Sequence, residues 1–250
     1  MSALTVRPAA AGDDAFLRAV YAAARAEEVA GFGWAEEQAQ AFLAMQYEAQ
    51  RRHYRSAWPR AVDGIVEAAG EPVGRLYVDR GAAAVTVLDI ALLPGTRGSG
   101  IGTVLLRGLQ AEAAALDVPV ELQVVPGNRA VRWYGRLGFR STESGSSASG
   151  ERIAMRWRPP GHAEWAAAVG VPGTLAGVRA LPAECSPALR LGPFEQFSVA
   201  LRVPADAAFA QGTHRFEHPA LGALDLFVVP SARTGDDLTL TVAFARTVAS

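Results

Sequence analysis

The stretch Arg97-Gly98-Ser99-Gly100-Ile101-Gly102-Thr103 follows an apolar run and precedes a long segment whose apolar residues recur at helical spacing. A glycine turn between a strand and a helix suits a phosphate. The first N–H groups of a helix have no intrahelical partner, and the helix dipole favours an anion there. Single residues exclude two common phosphate loops. A Walker loop ends in Gly-Lys-Ser/Thr, and the chain has no lysine; a Rossmann fingerprint needs glycine where Thr103 stands. What remains is an Arg-x-x-Gly-x-Gly pattern made by Arg97, Gly100 and Gly102. Its glycines let the backbone approach an anion closely, and Arg97 adds charge.

The elements that must position this turn read in order. Leu4 to Arg7 makes a short strand, and Ala11-Gly12-Asp13-Asp14 caps a helix running to Arg25 with Phe16, Leu17, Val20 and Tyr21 inward. A second helix spans about 35 to 54, with Phe42, Met45, Gln46 and Ala49 on one side. Val62 to Ala68 and Val73 to Asp79 form a hairpin about Gly70-Glu71-Pro72, and Ala84 to Leu93 is apolar enough for a sheet centre. After the glycine turn, Ile101, Leu105, Leu106, Leu109, Ala113 and Leu116 mark the inner face of a third helix. A strand over 118–125, a helix over 129–137 and strands over 138–142 and 153–157 complete the series. The small polar segment Ser141 to Gly150 reads as a mobile hairpin loop rather than a linker.

This order, together with Asp89-Ile90-Ala91-Leu92-Leu93-Pro94 ahead of RGSGIGTVLL, resembles the GNAT N-acetyltransferase family over residues 1–158. A second motif of that family is similar to Gly127-Asn128-Arg129-Ala130-Val131-Arg132-Trp133-Tyr134 followed by Arg136-Leu137-Gly138-Phe139. The resemblance implies an α/β fold, a mixed twisted sheet flanked by helices and splayed where acetyl-CoA enters. It also implies transfer of an acetyl group from acetyl-CoA to a primary amine of a small molecule, peptide or protein.

By the same resemblance, the backbone of Ile90, Ala91 and Leu92 would run beside the pantetheine arm, and Gly98, Ser99, Gly100, Ile101, Gly102 and Thr103, with Arg97, would hold the pyrophosphate. Asn128 would bond the cofactor arm, and Tyr134 would protonate the departing thiolate. Asp89 is the nearest candidate base, with Glu121 and Glu28 behind it. Its plainer reading is a carboxylate that bonds a neighbouring arginine or backbone groups, and deprotonation through water without a dedicated base is a further alternative. Trp34, Phe32 and Tyr47 either line an acceptor pocket or pack the first helices. Two departures from the family pattern stand out: Gly135 replaces an acidic residue, and Val124-Val125-Pro126-Gly127 replaces a more polar run before Asn128. The second motivates an alternative, a CoA-binding structural or interaction protein with little turnover.

At Arg158-Pro159-Pro160-Gly161 the pattern changes to short β-prone runs between Pro and Gly turns, with a short helix near 162–169. Residues 159–250 therefore read as a small, mainly β domain for interaction or assembly, able to engage a protein partner. Phe197-Ser198-Val199 and the run Gly212 to Val229 loosely resemble an uncharacterised β-rich domain associated with phage-tail-like loci. His214 and His218 would meet on a helix, but their surroundings read as a strand, where residues four apart lie about 13 Å from each other, so no metal is expected. Cys185 sits in a Pro-rich turn and reads as a plain thiol. A formal net charge of -1 provides no basic field for nucleic acid. No apolar run approaches the roughly 18 residues of a membrane span, and a single cysteine fits a reducing, cytoplasmic setting.

Overall fold

The computed structural model describes residues 4–146, 152–192 and 194–247. Part of the expected 141–150 loop, residues 147–150, therefore lies outside the described residues. The chain divides into two compact units. The first comprises Met1–Leu109, Val120–Pro126 and Ser141–Arg156, and the second Gln110–Pro119, Gly127–Arg140 and Trp157–Ser250.

The first unit is built on β1 (Leu4–Pro8), α1 (Asp14–Ala30), α2 (Glu36–Ala57), β2 (Val62–Ala68), β3 (Glu71–Arg80) and β4 (Val85–Leu92), which lead into α3 (Ile101–Ala115). Then come β5 (Val120–Val124), β6 (Arg140–Ser146) and β7 (Ile153–Trp157), while α4 (Ala130–Arg136), between β5 and β6 in the chain, belongs to the second unit. The sheet order is β1-β2-β3-β4-β5-β7-β6. The pairs β1–β2, β2–β3 and β3–β4 are antiparallel, whereas β4 meets β5 in parallel. At the start of α1, the Asp13 carboxylate accepts the Ala10 N–H at 2.8 Å and the Arg7 guanidinium at 2.7 Å.

Leu17, Tyr21 and Val29 of α1 pack with Leu43 and Tyr47 of α2 and Ile65 of β2, and Phe16 and Phe42 flank them. Burying each such side chain contributes about 1.5–3 kcal/mol. The inward face of α2 differs from the expected one. Leu43, Tyr47 and Tyr54 are buried, while Met45 is 59% exposed and Gln46 and Ala49 face outward. Leu43, Tyr47 and Tyr54 fall four and eleven apart, a helical stripe that outranks the isolated Met45. The α3 stripe holds through Leu105, Leu106, Leu109 and Ala113. The helix ends at Ala115, which leaves Leu116 in a turn and 60% exposed.

In the second unit, α5 (His162–Ala168) precedes β8 (Gly173–Leu175), β9 (Val178–Cys185), β10 (Leu189–Leu191), β11 (Phe194–Pro204), β12 (Gly212–His218), β13 (Gly222–Thr234) and β14 (Asp237–Thr247). These strands follow the order β10-β11-β14-β13-β12-β8-β9, and β11 also pairs with β9, so six of them close a barrel with β10 appended. Alternate residues fill it: Phe197, Val199, Leu201 and Val203 from β11, Leu224, Leu226 and Val228 from β13, and Leu238, Leu240 and Val242 from β14. Trp165 of α5 is fully buried and stacks on Phe216, with ring centroids 5.6 Å apart. Cys185 ends β9 rather than lying in a turn, because its segment pairs with β11. Burial pushes its thiol up, away from the reactive thiolate.

Candidate active site

The register between β4 and β5 runs from Val85↔Val120 to Val87↔Leu122 and stops, although β4 continues to Leu92 along β3. A bulge sits at the same point, since Tyr77 faces Asp89 and Val78 faces Val87. Among the described residues, Leu88 to Leu92 therefore have no strand partner on the β5 side. Such an edge can receive an extended chain of amide groups as an added strand. Ile90, Ala91 and Leu92 are all half-buried along it. Gly74 of β3 makes this arrangement possible, because a Cβ there would come within 2.4 Å of the Ala91 carbonyl oxygen.

The turn into α3 follows directly. Gly98 and Gly100 adopt φ of 78° and 89°, a region side chains resist, and open space surrounds the positions where their Cβ atoms would lie. Ser99 Oγ donates to the Thr96 carbonyl at 2.6 Å. The first α3 hydrogen bond runs from Val104 N to Gly100 O at 3.0 Å, and Gly102 is buried in the first turn. The N–H groups that open the helix thus lie in an exposed glycine turn, the geometry that suits a phosphate group. Arg97 plays a different part from the expected one. Its Nε donates to the Leu92 carbonyl at 2.9 Å and an Nη to the Ala23 carbonyl at 3.0 Å, so it ties the end of β4 to α1.

Asp89 is held by Arg75, whose Nη1 lies 3.1 Å from Asp89 Oδ2 while the same guanidinium grips Asp63 with two contacts of 2.7 Å. Arg75 is 1% exposed. Burial opposes its charge, but the hydrogen bonds to Asp63 and the charges of Asp89 and Asp63 outweigh that penalty and hold it above its ordinary value. Accepting a proton at Asp89 would break this pairing. The carboxylate bonds a neighbouring arginine, which is the plainer of the two sequence readings.

A cleft of about 880 Å³ opens beside the bulge, walled by α1, α2, β4, β5 and β7. Tyr54 stands in it. Its hydroxyl donates to the Leu88 carbonyl at 2.9 Å, and its ring meets Tyr77, Trp58 and His53 edge-on or tilted. Burial pushes the Tyr54 hydroxyl up and Asp89 adds to this, against the pull of Arg152, Arg75 and Arg25, so it stays protonated. Glu28 and Glu121 also line the cleft, Glu121 paired with Arg156 at 2.5 Å. Phe32, Trp34 and Tyr47 do not belong to its walls. Tyr47 is buried against Tyr21, while Phe32 and Trp34 are exposed and pack on each other. The sequence reading missed Tyr54 and Arg75, although the Leu43-Tyr47-Tyr54 stripe carried a signal for the first.

Asn128 and Tyr134 lie in the second unit. Asn128 Oδ1 accepts the Ala130 N–H at 2.8 Å and so caps α4. Tyr134 is buried in α4, with Phe139 and Trp133 against its ring. The structure brings residues 90–92 and 97–103 together in one unit and places these two in the other. Among the described residues no group of His, Cys, Asp and Glu could hold a metal ion. His218 is occupied at both nitrogens: Nδ1 accepts the Ala220 N–H at 3.2 Å and Nε2 donates to the Val171 carbonyl at 3.0 Å. No described helix is long and apolar enough to cross a membrane.

Residues 61–141, which carry the split strands, the glycine turn and α4, match the family model of the acetyltransferase (GNAT) domain. The N-terminal part has the GNAT fold. Solved structures similar to this chain include the PaiA N-acetyltransferase from Thermoplasma acidophilum in complex with coenzyme A, at 17% identity over 62% of this chain and 99% of that one, with a TM-score of 0.48. Another is the histone acetyltransferase HPA2 and related acetyltransferase from Corynebacterium glutamicum, at 24% identity over 64% of this chain and 98% of that one, with a TM-score of 0.45. Beyond the GNAT match, residues 162–244 match a domain of unknown function (DUF6916). None of these findings ties that region to phage-tail-like loci.

Proposed function

We propose that the chain is an acetyl-CoA-dependent N-acetyltransferase acting on a primary amine. The observation that carries this reading is the β4 edge, unpaired beyond Val87 and continuing into a glycine turn at the head of α3. The residues present fit the donor. Open space at Gly98 and Gly100 admits a pyrophosphate, with the N–H groups of residues 98–103 to bind it, and the free edge at Ile90, Ala91 and Leu92 suits the amide-bearing arm. The role of Asn128 toward that arm rests on the family resemblance alone; its side-chain oxygen accepts the Ala130 N–H. Arg97 serves by positioning the turn.

Acetyl-CoA supplies the activated acyl group. The chain binds and orients both partners, and a β4 N–H stabilises the charge that develops on the acyl oxygen. The amine nitrogen forms the new C–N bond as the C–S bond breaks, and one proton leaves nitrogen while one arrives on sulfur. Tyr134 is the proton donor in this scheme. With Asp89 committed to Arg75, the amine's proton leaves through cleft water or Glu28. We place the catalytic domain at residues 1–158 and assign 159–250 to interaction or assembly, a division supported by the two family matches falling on either side of it.

A panel of primary amines, assayed by CoA release from acetyl-CoA, tests this reading. Turnover with at least one amine is expected, and Tyr134→Phe should lower kcat about a hundredfold with little change in the acetyl-CoA KM. Saturable binding without turnover would instead support a CoA-binding protein, a reading favoured by the ion pair that occupies Asp89.

A further inference from the structure

The ionisable groups of the cleft form a pattern that discriminates among amines. Arg25, Glu28, His53, Glu121, Arg152 and Arg156 line it. Glu121 pairs with one Nη of Arg156, and the guanidiniums of Arg25 and Arg152 share the rest of the lining with the carboxylate of Glu28. A polyamine or a lysine-rich peptide would meet net repulsion there.

Arg25 is also preorganised. Its guanidinium carbon lies 3.7 Å from the centroid of the Tyr21 ring, a contact that limits where the side chain can swing, and a guanidinium fork suits a two-oxygen anion. Arg25 projects from α1 and Arg152 comes from the segment before β7, and both line the same cleft as Tyr54. Tyr54 and Trp58, ring centroids 5.7 Å apart, supply a flat apolar wall beside them.

We propose that the acceptor is a primary amine that carries its own oxyanion on a planar or apolar body, as an amino acid or a phosphorylated amine does. The oxyanion pairs with Arg25 and Arg152, the body lies on Tyr54 and Trp58, and the amine points to the β4 bulge. This inference rests on the acetyl-transfer reading of the cleft.

The test uses the full chain with four probes: L-phenylalanine, phenethylamine, O-phosphoethanolamine and spermidine. Each is measured by CoA release from acetyl-CoA and, in parallel, by calorimetric binding to the CoA-loaded protein. L-phenylalanine or O-phosphoethanolamine should exceed phenethylamine and spermidine about tenfold, the effect of one charge-assisted contact. Whichever of the two leads distinguishes a carboxylate from a phosphate. Arg25→Gln and Arg152→Gln should each erase the preference while acetyl-CoA affinity stays unchanged, and Arg152→Glu should shift it toward spermidine. Preference for spermidine or phenethylamine in the unaltered chain, or an anion preference that survives both glutamine substitutions, overturns the inference. Selective binding of the anionic probes without turnover would keep it while the acetyl-transfer reading fails.

Discussion

Both sheets of this protein hold seven strands, yet one is split and the other closes on itself. In the first, β4 parts from β5 after Val87 and keeps a free edge beside a cleft. In the second, β11 pairs with both β14 and β9, and the interior is filled by Trp165, Phe216 and alternating aliphatics. A free backbone edge costs stability unless something pairs with it, whereas a closed barrel leaves few such groups. The split sheet is therefore where a ligand is to be expected, and the barrel is built for shape. His218 agrees with this, since it spends both ring nitrogens on backbone groups.

If the barrel is a packed scaffold, removing its plug should be the largest single effect on stability. Trp165→Ala is expected to cost about 3–5 kcal/mol in urea unfolding while leaving acetyl-CoA affinity unchanged. A loss of acetyl-CoA binding in a variant that remains folded would break the division of labour between the two sheets. On the open side, Gly74→Ala pushes a methyl group against the Ala91 carbonyl, 2.4 Å from its Cβ. It should cost about 1–3 kcal/mol and, if the proposed donor site is right, weaken acetyl-CoA binding as well, because it displaces the free β4 edge. The same unfolding and titration measurements separate the two variants.

A smaller effect should appear at acid pH. The hydrogen bond from Arg7, followed by that from the Ala10 N–H, lowers the Asp13 carboxyl from 3.8 to about 2. A carboxyl depressed in the folded state adds stability that is fully present above its unfolded value and is lost as pH falls through its folded value. Stability from this contact should therefore decline between about pH 4 and pH 2. Asp13→Asn should flatten that part of the pH profile, by a small amount given how exposed the carboxyl is. An unchanged acid limb would show that the contact contributes nothing.

The sequence made the strand, glycine turn and helix legible because everything that defines them is local: an apolar run, a glycine turn and a helical stripe follow one another within thirty residues or so. Within the barrel, β11 to β14 were legible as β-prone runs between turns, whereas β8, β9 and β10 were not, and the end of β9 read as a turn. The barrel's closure was not legible either, since the β11–β9 pairing joins the two ends of the strand order and follows from no short motif. Arg75 was hidden because an arginine within Pro72-Val73-Gly74-Arg75-Leu76 reads as a solvated charge until folding brings Asp63 and Asp89 around it. The same fold-level juxtaposition turned Asp89 from a candidate base into the partner of a buried cation. Arg97 shows the limit of motif reading in another way. It stands in the Arg-x-x-Gly-x-Gly pattern, but its side chain reaches the Leu92 and Ala23 carbonyls, and no local pattern foretells that.

The most direct trial of the split-sheet reading is a calorimetric titration of acetyl-CoA into the full chain and into Gly100→Val. Saturable one-to-one binding is expected for the unaltered chain. The β-branched side chain at φ 89° should distort the turn and cover its N–H groups, weakening binding about tenfold or more. Equal affinities in two equally folded proteins, or no binding by either, would contradict it.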